Sequence, residues 1–106
     1  MVSFEEFKKV SIKIARIIEV RDHPNADKLY VLKLDIGGEE REAVAGIKKA
    51  YKPEELKDKL VVVVDNLEPA TIRGIESKAM VLAAQDGEKL TVISPDKAVS
   101  PGSIVK

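Results

Sequence analysis

A chain of 106 residues, with 18 basic against 18 acidic side chains and 34% charged residues, sums to zero net charge and has room for one domain with one core. Cysteine is absent and histidine occurs once, which excludes disulfides, thiolate metal centres and histidine-rich sites; no acids are spaced as a calcium or magnesium loop requires, and no cofactor is expected. No apolar run approaches the roughly 18 residues of a membrane span and no signal-peptide pattern opens the chain, so a soluble, cytoplasmic protein is expected.

The first expected element is a short helix from residue 4 to about 9, with Ser3 and Glu6 as a capping box and Val2 and Phe7 at staple positions. Phe4 and Phe7 share a face, which covers the open end of a small barrel or packs on a second subunit. Ser11 to Arg21 reads as an Ile-rich strand. Ile12, Ile14, Ile18 and Val20 share a parity that Arg16 interrupts, and a bulge near Ala15 and Arg16 would resolve the conflict. Lys13 and Arg16 then become candidates for an exposed basic face.

His23 to Lys28 is a loop by its Pro, Asn and Asp content. Leu29 to Ile36 follows as a strand with Tyr30, Leu32, Leu34 and Ile36 on one face. Gly37-Gly38 is a two-residue hairpin signal, and Glu39 to Ala45 returns as a third strand. Pro53 at a first helical position, with Glu54 and Glu55 in the first turn, starts a second short helix. Leu60 to Val64 shows no alternation, as a strand buried on both faces would not.

Residues 66–79 read as a polar, basic loop carrying Arg73, Gly74, Ser77 and Lys78. Asp86-Gly87 is a further hairpin signal between Met80–Ala84 and Lys89–Ile93. The tail, with Pro95, Pro101 and Gly102, ends in Ile104-Val105, which pairs as a last short strand or extends to a partner. Many short strands with two short helices predict a small antiparallel barrel or sandwich. The helix between the third and fourth long strands fits the five-stranded oligonucleotide-binding barrel: all-β with short helices, and with N- and C-terminal extensions.

Catalysis has little to work with. Ser77 has no histidine near it, His23 precedes a proline in a turn, and Gly74-Ile75-Glu76-Ser77 lacks the spacing of a phosphate-binding Walker loop. The neutral charge sum weighs against a nucleic-acid partner, yet phosphate is bound by a local patch rather than by a sum. Cations for phosphates are available at Lys13, Arg16, Lys28, Lys33, Arg41, Arg73 and Lys78, and Asn25, Asn66 and Ser77 supply donors and acceptors for base edges. Stacking faces are thin: Tyr30 and Tyr51 are the only tyrosines, supplemented by Arg, His23 and Met80. That supply favours RNA shape and backbone over an aromatic-paved groove.

His23-Pro24-Asn25-Ala26-Asp27-Lys28-Leu29-Tyr30, together with Gly74-Ile75-Glu76-Ser77-Lys78-Ala79-Met80-Val81-Leu82-Ala83-Ala84, closely resembles the tRNA-binding domain family. That family includes the C-terminal module of methionyl-tRNA synthetases, free-standing bacterial tRNA-binding proteins and modules of eukaryotic synthetase cofactors. Ile12 to Ile17 resembles its first strand, Pro53 to Leu56 its helix, Asn66-Leu67-Glu68-Pro69 its Asn-Leu-x-Pro segment, and Pro101 to Val105 its closing stretch. The initial helix and compact length look most like the archaeal and bacterial methionyl-tRNA synthetase version.

The resemblance implies an oligonucleotide-binding fold, no catalytic activity, and structure-based tRNA binding that assists aminoacylation. It also implies a homodimer and partnership with the catalytic part of a methionyl-tRNA synthetase. Carried over by residue, the RNA face falls on Lys13, Arg16, Asn25, Lys28, Ser77 and Met80, and Asn66, Arg73 and Lys78 join these as candidates. Two positions depart from the family pattern: Ala79 where it usually has glycine, and Asp58 where glycine often ends the mid-chain helix, a place where Asp tolerates the left-handed conformation. Each candidate also has a structural alternative. Met80 fills core, Asn25 bonds its own turn, Asn66 ties the following loop, and the cations are ordinary solvated side chains. A peptide-binding secretion chaperone on the same fold is the rival function.

Overall fold

The computed structural model describes all 106 residues. In chain order the elements are α1 (Phe4–Phe7), β1 (Ile12–Asp22), β2 (Tyr30–Asp35), β3 (Glu40–Ala45), α2 (Pro53–Leu56), β4 (Leu60–Val64), β5 (Ala70–Ile72), β6 (Ile75–Ser77), β7 (Met80–Val81), β8 (Ala83–Asp86) and β9 (Lys89–Val92). The main sheet has the antiparallel order β3-β2-β1-β4-β7. β1 makes the curvature possible: its first half pairs with β4 and its second half, from Arg16, with β2. The two ends of the sheet approach each other where the Lys78 N–H donates to the Glu42 carbonyl at 2.9 Å and the Val44 N–H donates to Ser77 Oγ at 2.9 Å. The result is a five-stranded sheet nearly closed into a barrel, as the strand pattern predicts.

Tyr30, Leu32, Leu34 and Ile36 do share the core face, against Ala43, Ala45, Val61, Val63 and the fully buried Leu56 of α2. Apolar side chains of this size contribute roughly 1.5–3 kcal/mol each when fully buried. Val62 and Val64 are buried on the opposite face, so β4 is covered on both sides as its unbroken apolar run requires. The Gly37-Gly38 hairpin forms as expected, with both glycines at positive φ and the Ile36 N–H on the Glu39 carbonyl. Asp58 ends the mid-chain helix in the left-handed region at φ 68°.

Four expectations need correction. The bulge in β1 lies between Ile17 and Glu19, two residues beyond the Ala15–Arg16 position. Ala15 and Ile17 therefore face the core, Val20 rejoins them after the slip, and Lys13 stays on the inner parity while Arg16 points outward. Lys13 and Arg16 do not form one basic face. The α1 face does not cover the barrel end: Phe4 and Phe7 are 71% and 50% exposed. That end is filled by polar groups, because Lys13, Arg41 and Asp65 occupy inward positions there; Lys13 Nζ lies 2.9 Å from Asp65 Oδ2 and the Arg41 guanidinium donates to the Asp65 carbonyl.

The third and fourth corrections concern the second half of the chain. Met80–Ala84 is not one strand: Val81 pairs with β4, and after Leu82 the chain turns to pair β8 with β9. Residues 66–79 are not an open loop, since β5 and β6 form a hairpin within them. The tail pairs with its own chain. The Ile14 N–H donates to Ser103 O and the Val105 N–H to Ile12 O, both at 2.9 Å, along the edge of β1 that β2 leaves free. Gly102, at φ 90°, lets this segment press on the Gly37 turn, where an added Cβ would stand 2.9 Å from Gly37 Cα.

Candidate nucleic-acid interface

The loop between β1 and β2 and the β5–β6 hairpin meet at one rim of the barrel. The hairpin turns through Arg73 and Gly74, at φ 52° and 88°, with Ile72 and Ile75 paired on either side. Two positive φ values define a type I′ turn, which suits strand twist but costs a side chain like arginine about 1–2 kcal/mol. His23 fastens the two elements together. It is buried, and its Nε2–H donates to the Ile72 carbonyl at 2.9 Å while its Nδ1 accepts the Asn25 N–H at 3.0 Å. Those two bonds fix the Nε2–H tautomer. Asn25 adds a bond from Nδ2 to the Arg73 carbonyl at 3.4 Å.

Lys28 and Arg73 are exposed across this junction and, with Ala26, Asp27 and Leu29, line an open cleft of 400 Å³. Neither cation has a carboxylate partner, although six other basic side chains of the chain do. Lys28 also borders a second cleft that includes Lys49. The rim thus joins Asn25, Lys28 and Arg73, three of the sequence candidates, and holds its cations free for an outside anion.

Below the rim, the outward face formed by the end of β1 with β2, β3 and β6 is charged but self-paired. Arg21 lies 2.9 Å from Glu42, Lys33 3.4 Å from Glu40, and Lys78 3.6 Å from Glu76. The hydrogen bond from Arg21, aided by the charges of Arg21, Lys33 and Lys78, outweighs partial burial and holds the Glu42 carboxyl below its ordinary value.

The remaining candidates fall elsewhere or have their polar atoms occupied. The Ser77 hydroxyl, buried, accepts from the Val44 N–H and donates to the Ala79 carbonyl, so it joins β6 to β3. Asn66 accepts the Ser11 N–H at 2.8 Å and donates to the Lys9 carbonyl at 2.7 Å, tying the segment before β1 to the end of β4. Lys13 is held by Asp65. Burial opposes the Asp65 charge, yet hydrogen bonding from Ser11 and Lys13 and the charges of Lys13 and Arg41 prevail and lower its pKa. Arg16 is exposed and unpaired on the outward side of β1. Met80 is exposed rather than core filler, and edges an apolar slot of 170 Å³ with Leu67, Ala70 and Ile72. Sequence reasoning missed the strut role of His23 and the buried Asp65. The inward parity of Asp65 after Val61 and Val63 was the available signal for the second.

Residues 12–104 match the family model described as "Putative tRNA binding domain". The chain belongs to this family. Among curated relatives, this tRNA-binding domain is 60% identical over 105 residues to a methionine–tRNA ligase of Pyrococcus furiosus, and 45% identical over 104 residues to that of Thermotoga maritima. The match takes in 99% and 98% of the chain but only 14% and 16% of those relatives' lengths. Among solved structures, the domain overlays a MetRS related protein of Pyrococcus horikoshii with a TM-score of 0.92 at 32% identity, covering 100% of the chain and 98% of that protein. It overlays the CsaA chaperone protein of Picrophilus torridus with a TM-score of 0.93 at 31% identity, covering 100% of both. Fold similarity therefore does not separate the two functions that those names carry; the side chains must. Ala79, where the resemblance expects glycine, is 7% exposed, packed in the core and at the floor of the slot beside Met80.

Proposed function

We propose that the chain is a noncatalytic tRNA-binding module that assists aminoacylation, acting as a dimerising C-terminal domain or separate subunit beside the catalytic part of a methionyl-tRNA synthetase in the cytoplasm. The observation that carries the RNA reading is the rim. Two cations without carboxylate partners, Lys28 and Arg73, stand on two loops that the His23 and Asn25 hydrogen bonds hold in fixed relation. In this barrel fold, those loops and the adjoining face of the second and third strands are where nucleic acid lies. Lys28 and Arg73 take phosphates, with Lys49 beside them, while Asn25 sets loop shape and Met80 flanks the path. Lys78 contributes only as far as Glu76 releases it. Lys13, Asn66 and Ser77 serve the scaffold, and Arg16 lies on a separate outward position of β1. With one buried tyrosine at position 30 and no aromatic on the rim, recognition rests on backbone geometry rather than base stacking.

Two or three phosphate contacts per chain give weak, unspecific affinity. A pair of copies doubles them, to about six, which makes binding fall roughly a thousandfold between about 50 and 200 mM salt. The surface offered for that pairing is the groove between α1 and the tail, lined by Phe4, Phe7, Val10, Ile12, Ile104 and Val105, with Phe4 and Ile104 largely exposed. Sedimentation at micromolar concentration tests the dimer, and a monomer at that concentration refutes it. For binding, Lys28→Glu with Arg73→Glu is expected to abolish retention of unfractionated tRNA at low salt and to weaken all tRNA species alike. Unchanged affinity, or loss confined to one species, refutes the assignment.

The second reading is a peptide-binding secretion chaperone, supported by the apolar slot beside Met80 and the likeness to a chaperone structure. Retention of an unfolded polypeptide, with no salt-dependent tRNA binding, would select it.

A further inference from the structure

We propose that Glu42 and Glu76 limit how tightly, and decide how selectively, the domain holds RNA, by keeping the cations of the β2–β3 face engaged with carboxylates. The inference rests on the RNA-binding reading above and concerns the ion-paired face beside the rim. The Gly37-Gly38 hairpin sets Lys33, the one base of β2, opposite Glu42, and sets two acids, Asp35 and Glu40, opposite each other. Glu42 stands at the centre, 2.9 Å from Arg21, with the charges of Lys33 and Lys78 near enough to act on its carboxyl. Glu76 on β6 lies 3.6 Å from Lys78, and Glu40 3.4 Å from Lys33. Lys33, Glu40, Arg41, Glu42, Glu76 and Lys78 line an open cleft of 510 Å³, three bases and three acids with nothing apolar, and Arg21 reaches Glu42 from beside it.

A phosphate gains from a cation that it neutralises, and loses from a carboxylate that it must displace. On this face each landing exchanges one anion for another. On the rim, Lys28 and Arg73 make no ion pair, although Asp27 lines the same cleft, so a phosphate there has no salt bridge to displace. An extended strand laid along the barrel therefore finds attraction only at its edge. A folded RNA that brings its backbone to the rim keeps full benefit. Selectivity for folded RNA thus comes from attraction at the rim combined with neutrality of the face. The Arg21 bond also keeps Glu42 ionised through the neutral range, so the competitor is present at working pH.

The test uses the whole chain and the double variant Glu42→Gln with Glu76→Gln, titrated against unfractionated tRNA and a uridine homopolymer of similar length over a range of salt. Freeing Arg21 and Lys78 is expected to tighten homopolymer binding on the order of tenfold, and tRNA binding less. It should steepen the salt slope by about one to two, so that the preference for tRNA falls. Glu54→Gln with Asp96→Asn removes the same charge from exposed side chains that make no ion pair, and should leave the preference unchanged. The inference is overturned if the double variant keeps the wild-type preference and slope, or if the control pair shifts them equally. Should the double variant unfold, Glu76→Gln alone, which loses only an exposed partner of Lys78, must still move slope and preference in the same direction. If wild type binds no tRNA, the proposed function fails separately. The variant then decides the inference alone, since newly gained RNA binding supports it and continued silence overturns it.

Discussion

Arg73→Asn should make the protein more stable and a worse RNA binder. Arg73 occupies φ 52° in a two-residue turn, a conformation that costs most side chains about 1–2 kcal/mol and asparagine considerably less. The bond it gives the neighbouring loop comes from its carbonyl, which accepts from Asn25, and survives the substitution. Its guanidinium makes no ion pair or hydrogen bond within the chain. The folded state thus loses strain and no contact, a net gain of about 0.5–1 kcal/mol, or roughly 2–8 °C in melting temperature for a domain of this size. Binding loses one exposed, charge-assisted phosphate contact, about 1 kcal/mol or roughly fivefold, and the salt slope becomes shallower by about one. Thermal unfolding and tRNA titration of the same sample measure both. A destabilised variant would show that the side chain is structural, and unchanged tRNA affinity would remove Arg73 from the interface. The positive φ at a position whose side chain has no partner within the chain is what motivates placing Arg73 in the proposed RNA contact.

Ser77→Ala should cost about 1–3 kcal/mol, since the Val44 N–H is left without its acceptor, while the salt slope of tRNA binding stays unchanged; a shallower slope would make Ser77 part of the RNA contact. The Asp65 carboxyl has its pKa depressed below 3.8 in the folded state, so its contribution is fully present above the unfolded value and lost as pH falls through it toward the folded one. Asp65→Asn should flatten that acid limb of a melting-temperature profile and cost about 1–3 kcal/mol near neutrality. This is less than for a fully buried pair, because the Lys13 side chain is 35% exposed; an unchanged acid limb would show that other carboxylates dominate it. Gly102→Ala should cost about 1–3 kcal/mol by forcing a Cβ against Gly37 at an unfavourable φ, and should speed amide exchange at Ile14 and Val105; wild-type exchange there would mean that the tail holds without this contact.

Most of the barrel is legible in the sequence because its signals are local. Gly37-Gly38, the alternation from Tyr30 to Ile36, the Pro53 helix start and the unbroken Leu60–Val64 run each encode their own geometry within a few residues. The charge pairing of the β2–β3 face does not follow from the hairpin register alone: Lys33 stands opposite Glu42 yet pairs with Glu40, while Glu42 is taken by Arg21 of β1. What is not legible depends on distant partners. The His23 strut ends on the carbonyl of Ile72, a backbone group without a sequence signature, and no local pattern reveals a bond across 49 positions. Placing the β1 bulge two residues too early is enough to put Lys13 on the wrong side of the sheet, because every slip of one residue exchanges the faces. Arg73-Gly74 escapes notice as a hairpin turn because arginine is a poor occupant of the left-handed region. That same poor fit is what the Arg73→Asn prediction tests.

The most direct test of the central claim maps where tRNA touches the folded domain. Titrating unfractionated tRNA into isotopically labelled protein at low salt should shift the backbone amides of residues 25–28 and 72–75 first, with those of Phe4, Phe7 and Ile104 following only the dimer. Shifts confined to the α1–tail groove or to the slot beside Met80, or none at all, would contradict an RNA site on this rim.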